Sequence, residues 1–528
     1  MRRWSAAGIA VTVLFLLSVA WLAHLQNGGP AHQPIELSNG VTGMMYLPGP
    51  IEPARANPFY ELFAKPQALR PPAVVLMHGF MSDSVMMSTL ARRLAENGYA
   101  VLAIDANGHG ANRNPFGDTM TRSGALRDDF SAAVDFLRNY ERVDGSRIVV
   151  MGHSMGAGAT LDFATHEPGL SGAVMISGGW TLGPIRPRNA LFIFAEHDPA
   201  EEIQGPSTAI AEHLAGVSPI EAGKQYGDFA QGSAVEVVQM PGENHISIVT
   251  SRAVAMRIVR WVDGVFGTTR TSPINLHDAR TRARNLAAVL FIFVLIVIGR
   301  VTGSIAPLWN ERPAGAAGWI GVLTIAVALL AAMPLISTIL PAGFFPMVVG
   351  DAQVSWLIAA SVLAIGYLAI FGRLEGPSLR GRIGRTVLAA TLAFAAIYLG
   401  SNAIAVTMHR LSLTPERLLM LVLGTILTLP FWYAFEVLVR RGGIVISTVL
   451  GTTGRIVFIA LMGVGVALRI LPGVLMLAMP ILVPIFLVFE IFAASAYSTS
   501  RNLALIATVE ALWFVWLIAA TNPITFML

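Results

Sequence analysis

The sequence contains no cysteine. Disulfides, thiolate metal sites and a cysteine nucleophile are therefore excluded, and neither side of a membrane is selected. Charge is scarce too. Asp, Glu, Lys and Arg make up 13% of the chain, against roughly 25% in a soluble protein. Lysine is missing from residues 286–528, which carry thirteen arginines against seven acids. The net charge of +4 thus belongs to an apolar half whose arginines sit mostly at the ends of hydrophobic runs. No basic stripe interleaved with aromatics occurs, so nothing points to nucleic acid. The chain also lacks HExxH, a metal-ligand cluster and a Walker glycine loop. No metal or cofactor is expected.

What is present is hydrophobic. Apolar residues form 54% of 528 positions, too many for one soluble domain. An apolar run at residues 6–25 follows Met1-Arg2-Arg3-Trp4 and is long enough to cross a bilayer. Residues 1–25 are read as a transmembrane anchor or a signal peptide; Ser18-Val19-Ala20 resembles a cleavage site, but the run is long for a signal peptide. Either way Arg2 and Arg3 stay in the cytoplasm and the next domain is exported.

Residues 26–72 are polar and proline-rich, with an entry strand expected at 41–47. Short apolar strands then alternate with helices. Strands are expected at 73–77, 99–104, 147–151, 171–177, 190–195 and 234–240, and helices at 84–97, 124–140 and 246–266. This alternation predicts an α/β fold: a mostly parallel, doubly wound sheet covered on both faces. A polar linker covers 267–285. Residues 286–528 form an all-α membrane domain with about eight spans, near 286–300, 316–340, 353–372, 386–408, 418–439, 444–468, 473–494 and 503–521. The sixth is interrupted by Gly454-Arg455.

With the N-terminus inside, the inner loops hold Arg300, Arg312, Arg373, Arg380, Arg382, Arg385, Arg440, Arg441 and Arg501. The outer loops hold Arg280, Arg282, Arg284, Arg410, Arg417 and Arg469. The balance favours residues 40–266 outside the cell membrane, a bacterial one on this reading, although Arg280, Arg282 and Arg284 argue the other way. Glu436, Arg455, Glu490 and Glu510 lie within spans, where ionisable groups are expensive. Glu436 is four residues from Arg440 and is read as its interfacial partner. The other three form a pairing set or a polar path.

One stretch carries the chemistry. Residues 148–151 are an apolar strand running into Gly152-His153-Ser154-Met155-Gly156 and a helix of small residues. Gly-x-Ser-x-Gly between strand and helix holds a serine on a sharp turn, with Oγ outward and helix N–H groups behind it. Here the chain resembles the α/β-hydrolase superfamily, in particular its esterase, lipase and dienelactone-hydrolase-like members, over roughly residues 40–266. The membrane half resembles no recognised family.

The resemblance implies a triad in the order Ser, acid, His. Ser154 is then the nucleophile. Asp198, just past the 190–195 strand, is the orienting carboxylate, although Glu196 is an alternative and Asp198 could cap a helix before Pro199. His245, after the last strand, is the base, in preference to His153 and His197. The oxyanion hole falls to the N–H groups of Met155 and of Phe80, in His78-Gly79-Phe80-Met81. Asp105 to Gly110 is a structural turn, with His109 a candidate pocket residue. Phe80, Met81, Met86, Met87 and Met120 line an apolar pocket or belong to the core.

The expected function is that of a membrane-bound serine hydrolase. It cleaves carboxylic esters, acyl esters of lipid or cell-envelope substrates, through an acyl-serine. The expected partners are the lipid bilayer and the acyl-ester substrate. The alternatives are an acyltransferase using the same triad and a transporter or lipid-handling protein with an accessory hydrolase.

Overall fold

A computed structural model describes residues 2–48, 70–117, 122–179, 186–308, 318–336, 343–371, 382–440 and 443–525. Met120, Arg312, Arg373, Arg380 and Arg441 lie outside them. The chain folds as two compact units. One comprises Ala23–Arg280, Val406–Arg410 and Pro523–Leu528; the other comprises Met1–Leu22, Thr281–Ala405 and Leu411–Asn522.

The first unit is built on eight strands: β1 (Ala31–Glu36), β2 (Thr42–Leu47), β3 (Pro72–Met77), β4 (Ala100–Ile104), β5 (Asp144–His153), β6 (Gly172–Ile176), β7 (Ala190–Ala195) and β8 (Val235–Met240). They lie in the order β1-β2-β4-β3-β5-β6-β7-β8. The first two pairings are antiparallel and the rest parallel. The parallel strands are buried on both faces, which is why they read as continuous apolar runs. Val74, Leu76, Val149, Met151, Val174, Ile176, Leu191 and Ile193 form one core with α2 (Ser88–Glu96) and α6 (Arg252–Phe266). Met86 and Met87 belong to that core. Two further helices, α3 (Arg122–Asn139) and α4 (Met155–His166), pack on each other through stacked Phe130 and Phe163. Helix α5 (Gly205–Ala215) follows β7.

Two elements escaped the sequence reading. Strand β1 pairs along the edge from Ala31↔Leu47 to Glu36↔Thr42 and contains Pro34. A proline-bearing, half-polar strand is tolerated at an edge, where no second ladder is needed. Helix α5 is rich in small residues and buries only Ser207 and Ala211, so it carries little hydrophobic signal.

The second unit is helical. Helix α1 (Arg2–Asn27) begins in it, and it continues through α7 (Ala279–Ile305), α8 (Trp319–Ala332), α9 (Gly350–Ile370), α10 (Ile383–Ala405), α11 (Pro415–Val439), α12 (Ile444–Ala467), α13 (Leu475–Ser500) and α14 (Leu503–Thr521). Among the described residues eight helices are long and apolar enough to cross a membrane: α1, α7 and α9 to α14. The run expected at 316–340 is described at residues 318–336. Its helix ends at Ala332 in a tight turn, Met333–Leu335, that contains Pro334; proline cannot donate the next helical hydrogen bond. Residues 337–340 of that run lie outside the described residues. The run at 444–468 is one continuous helix through Gly454 and Arg455.

Arg455 does not interrupt α12 because it points at carboxylates inside the unit. It bonds Glu490, Glu510 and Glu436. Arg440 bonds Glu436 at 2.7 Å and Glu490 at 2.7 Å. All five side chains are buried. Glu436 and Arg440 are therefore interior members of one network rather than a separate interfacial pair.

Candidate active site

The site lies at the carboxyl edge of the parallel strands, where α/β folds gather functional loops. Strand β5 ends at His153, and Ser154 follows with φ 53° and ψ −114°, a conformation a non-glycine residue adopts only when its surroundings enforce it. The surroundings are close. A Cβ on Gly152 would lie 2.2 Å from the Gly156 carbonyl oxygen, and one on Gly156 would lie 2.6 Å from the carbonyl oxygens of Met77 and His78. Only glycine permits these approaches. The Ser154 N–H donates to the Ile176 carbonyl at 2.8 Å, tying the turn to β6.

The structure brings Ser154, His245 and Asp198 together. His245 Nε2 lies 2.9 Å from Ser154 Oγ, and His245 Nδ1 lies 2.6 Å from Asp198 Oδ1. A carboxylate only accepts, so Nδ1 carries the proton and Nε2 is left to accept from the serine hydroxyl. Asp198 is buried. Its Oδ2 accepts from Ser177 Oγ at 2.6 Å and from the Ala195 N–H at 2.8 Å. Burial opposes its charge, but the hydrogen bonds from His245 and Ser177 outweigh burial and hold its carboxyl below the usual range. Glu196, the alternative acid, is exposed and accepts from the Gly242 N–H at 2.7 Å. His197 is exposed.

His153 and Ser177 are parts of the site that sequence reasoning did not assign. His153 Nε2 donates to the His245 carbonyl at 2.8 Å, and the two rings lie 4.9 Å apart. Burial, then the neighbouring His245, push its pKa down to about 3, so it is neutral and acts as a fixed donor. Its position inside the motif gave no clue, because any residue satisfies the pattern there. Ser177 ends β6 with φ +49° and carried no motif at all.

The loop after β3 runs beside the nucleophile. A Cβ on Gly79 would stand 3.2 Å from Ser154 Cβ. His78 is buried; its Nδ1 donates to the Gly79 carbonyl at 2.7 Å and its Nε2 accepts from the Ala106 N–H at 3.0 Å. Gly79 C=O and Phe80 N–H share one trans peptide plane and point oppositely. Holding the carbonyl therefore aims the N–H. Among the described residues no acceptor meets the Phe80 N–H. Met155 opens α4, where an N–H has no partner in its own helix. His109 is buried with its ring against His78, Phe80 and Phe116. Asp105 ties the neighbouring loops, accepting from the Ser84 and Ala111 N–H groups and from Thr42 Oγ1.

Comparison with known proteins bears on the fold of this unit. Residues 70–196 match the family model described as Serine aminopeptidase, S33. Cutinase est1 of Thermobifida alba is 24% identical over 201 residues, 36% of this chain and 59% of that protein. Cutinase 2 of Thermobifida cellulosilytica is 31% identical over 111 residues, 20% of this chain and 38% of that protein. Bis(hydroxyethyl) terephthalate hydrolase of Streptomyces coelicolor is 33% identical over 114 residues, 21% of this chain and 33% of that protein. The chain thus spans between a third and three fifths of these relatives. With the eight-stranded mixed sheet, these matches make the strand-bearing unit an α/β-hydrolase domain of the serine-hydrolase kind.

Proposed function

We propose that the protein is a membrane-bound serine esterase, with Ser154, His245 and Asp198 as its triad. The observation that carries this reading is the unbroken hydrogen-bond line from Ser154 Oγ through both nitrogens of His245 to Asp198. His245 Nε2 takes the hydroxyl proton as Oγ attacks the ester carbonyl, and Asp198 stabilises the imidazolium that forms. The new oxyanion accepts from the N–H groups of Phe80 and Met155; losing one such donor typically costs about 10²–10³ in rate. Collapse of this intermediate expels the alcohol, which takes the proton from His245. Water, activated by the same base, then releases the acid from acyl-Ser154.

Ester specificity rests on the names of the cutinase and terephthalate-ester relatives. A lipid or cell-envelope acyl ester is the substrate we favour, because the site belongs to a chain with eight helices long and apolar enough to cross a membrane. The arginine distribution favours a bacterial cell membrane with the hydrolase unit outside. An alcohol in place of water at the second step makes the same site an acyltransferase.

The test is turnover of p-nitrophenyl acyl esters by the full-length protein in detergent. Ser154→Ala is expected to lower kcat by at least about 10⁴-fold. Wild-type turnover by Ser154→Ala contradicts the reading. Added glycerol that diverts acyl groups from water identifies the transferase form.

A further inference from the structure

A segment far along the chain, Val406–Arg410, folds into the hydrolase unit. Its two charged residues reach the loops that frame the site. His409 Nε2 lies 3.1 Å from the Met81 carbonyl oxygen, and its Nδ1 lies 2.9 Å from Asp83 Oδ2. The Arg410 N–H donates to the same Oδ2 at 2.6 Å, while the Arg410 guanidinium lies 3.7 Å from Asp105 Oδ2. Asp83 is buried, and its other oxygen accepts from the N–H groups of Val85 and Met86. None of these contacts belongs to the triad.

The ring of His409 has an unusual environment. Both nitrogens face oxygens that only accept, a carbonyl and a carboxylate, so both must donate and the ring carries two protons. What it holds is equally specific. Met81 has φ +57°, a strained conformation for a residue with a side chain, one that persists only where neighbours enforce it. His78 holds the Gly79 carbonyl on one side of Phe80, and His409 holds the Met81 carbonyl on the other. The Phe80 N–H sits between these two fixed points.

We propose that His409, as an imidazolium bridging Asp83 and the Met81 carbonyl, is a positioning residue for the oxyanion loop, and that loss of its proton lets that loop relax. This rests on the esterase reading, with Phe80 as an oxyanion donor. The titratable and charged groups near His409 are Asp83 and His78 from the β3 loop, Asp105 from the β4 loop, and Arg410 on its own segment. Burial works against the proton, but the charge and hydrogen bond of Asp83 prevail and raise the His409 pKa. Hence the clamp is closed below that raised value and opens as pH rises through it.

The experiment measures kcat and KM of the full-length protein in detergent against pH, using p-nitrophenyl butyrate, with active sites counted by fluorophosphonate labelling. His409→Ala is expected to lower kcat per labelled site about ten- to hundredfold, with KM changed less than about twofold. His409→Arg, which keeps a permanent cation, should recover part of that loss and lack the alkaline fall in kcat. Asp83→Asn should move the alkaline fall to lower pH. An unchanged kcat per site in His409→Ala, or an alkaline limb that neither His409→Arg nor Asp83→Asn moves, overturns the proposal. Ser154→Ala in the same assay separates the two ideas: if it stays active the esterase reading fails, whereas an inactive Ser154→Ala beside a fully active His409→Ala sinks only the clamp.

Discussion

Single side chains around the site make separable predictions. Ser177 donates one of the three hydrogen bonds that reach Asp198. Removing it with Ser177→Ala should cost about 1 kcal/mol of orientation, a fall in kcat of about fivefold, read with the same p-nitrophenyl ester. A second buried carboxylate, Asp129, accepts from the Asn107 N–H at 2.9 Å, while its Oδ1 has no partner among the described residues. Burial pushes its pKa up to about 7 against the opposing hydrogen bond, with Asp128 adding to the rise. The folded state therefore holds this proton more tightly than the unfolded chain, where an aspartate titrates near about 3.9. The stability it supplies is complete below that lower value and is lost as pH climbs through about 7. Thermal unfolding should show Asp129→Asn insensitive to this loss, with a higher midpoint than the parent at pH above neutrality. Equal pH dependence in both proteins would contradict the assignment.

These residues mark what a sequence can convey. Ser154, Asp198 and His245 could be proposed from the sequence because each lies past the end of a strand and the family resemblance supplies their order. Their supports could not. His153 and Ser177 act through polar contacts whose partners lie 92 and 21 residues away, and His409 reaches the Met81 carbonyl 328 residues away as well as Asp83. No local pattern encodes such contacts. The sheet was legible for the opposite reason: parallel strands buried on both faces leave unbroken apolar runs, whereas the edge strand β1, with Pro34, leaves almost none.

At the scale of elements, the helices of the apolar unit are joined by more than side-chain packing. Three carboxylates from α11, α13 and α14 meet the guanidiniums of Arg440 and Arg455, and Trp432 lies among Phe458, Phe486, Phe489 and Phe514 nearby. Breaking a buried ion network from one side strands the opposite charges, at about 3–5 kcal/mol. Arg455→Leu should therefore abolish monodisperse protein in size-exclusion chromatography. Glu510→Gln should be far milder than Glu490→Gln, because Glu490 meets both arginines and Glu510 only one. Equal behaviour of the two glutamine variants would contradict this ranking. The sequence reading paired Glu436 with Arg440 and left Arg455, Glu490 and Glu510 as a pairing set or a polar path; the packing of four helices joins all five in one network.

For the whole molecule, the prediction concerns sidedness. Val406–Arg410 groups with the strand-bearing unit, so with that unit on one face of a bilayer an even number of crossings is expected between residues 280 and 406. Helices α7, α9 and α10 are each long and apolar enough for one crossing, and a fourth is expected from the shorter apolar helix beginning at Trp319. The four helices from α11 to α14 are then expected to return the chain to the same side. Because the protein has no cysteine, single cysteines report sidedness without background. Ser146→Cys and Ser412→Cys should react with an impermeant maleimide in intact cells, and Arg382→Cys only after permeabilisation. Labelling of Arg382→Cys together with Ser146→Cys would contradict the parity.

The central claim is that the Ser154 hydroxyl is the group activated by His245 and Asp198. The most direct measurement is peptide mapping of the full-length protein after reaction with a fluorophosphonate. A single stoichiometric adduct on Ser154, lost in His245→Gln although that variant remains folded, is the result this account predicts. An unmodified Ser154, or an adduct on another residue that persists in His245→Gln, would contradict it.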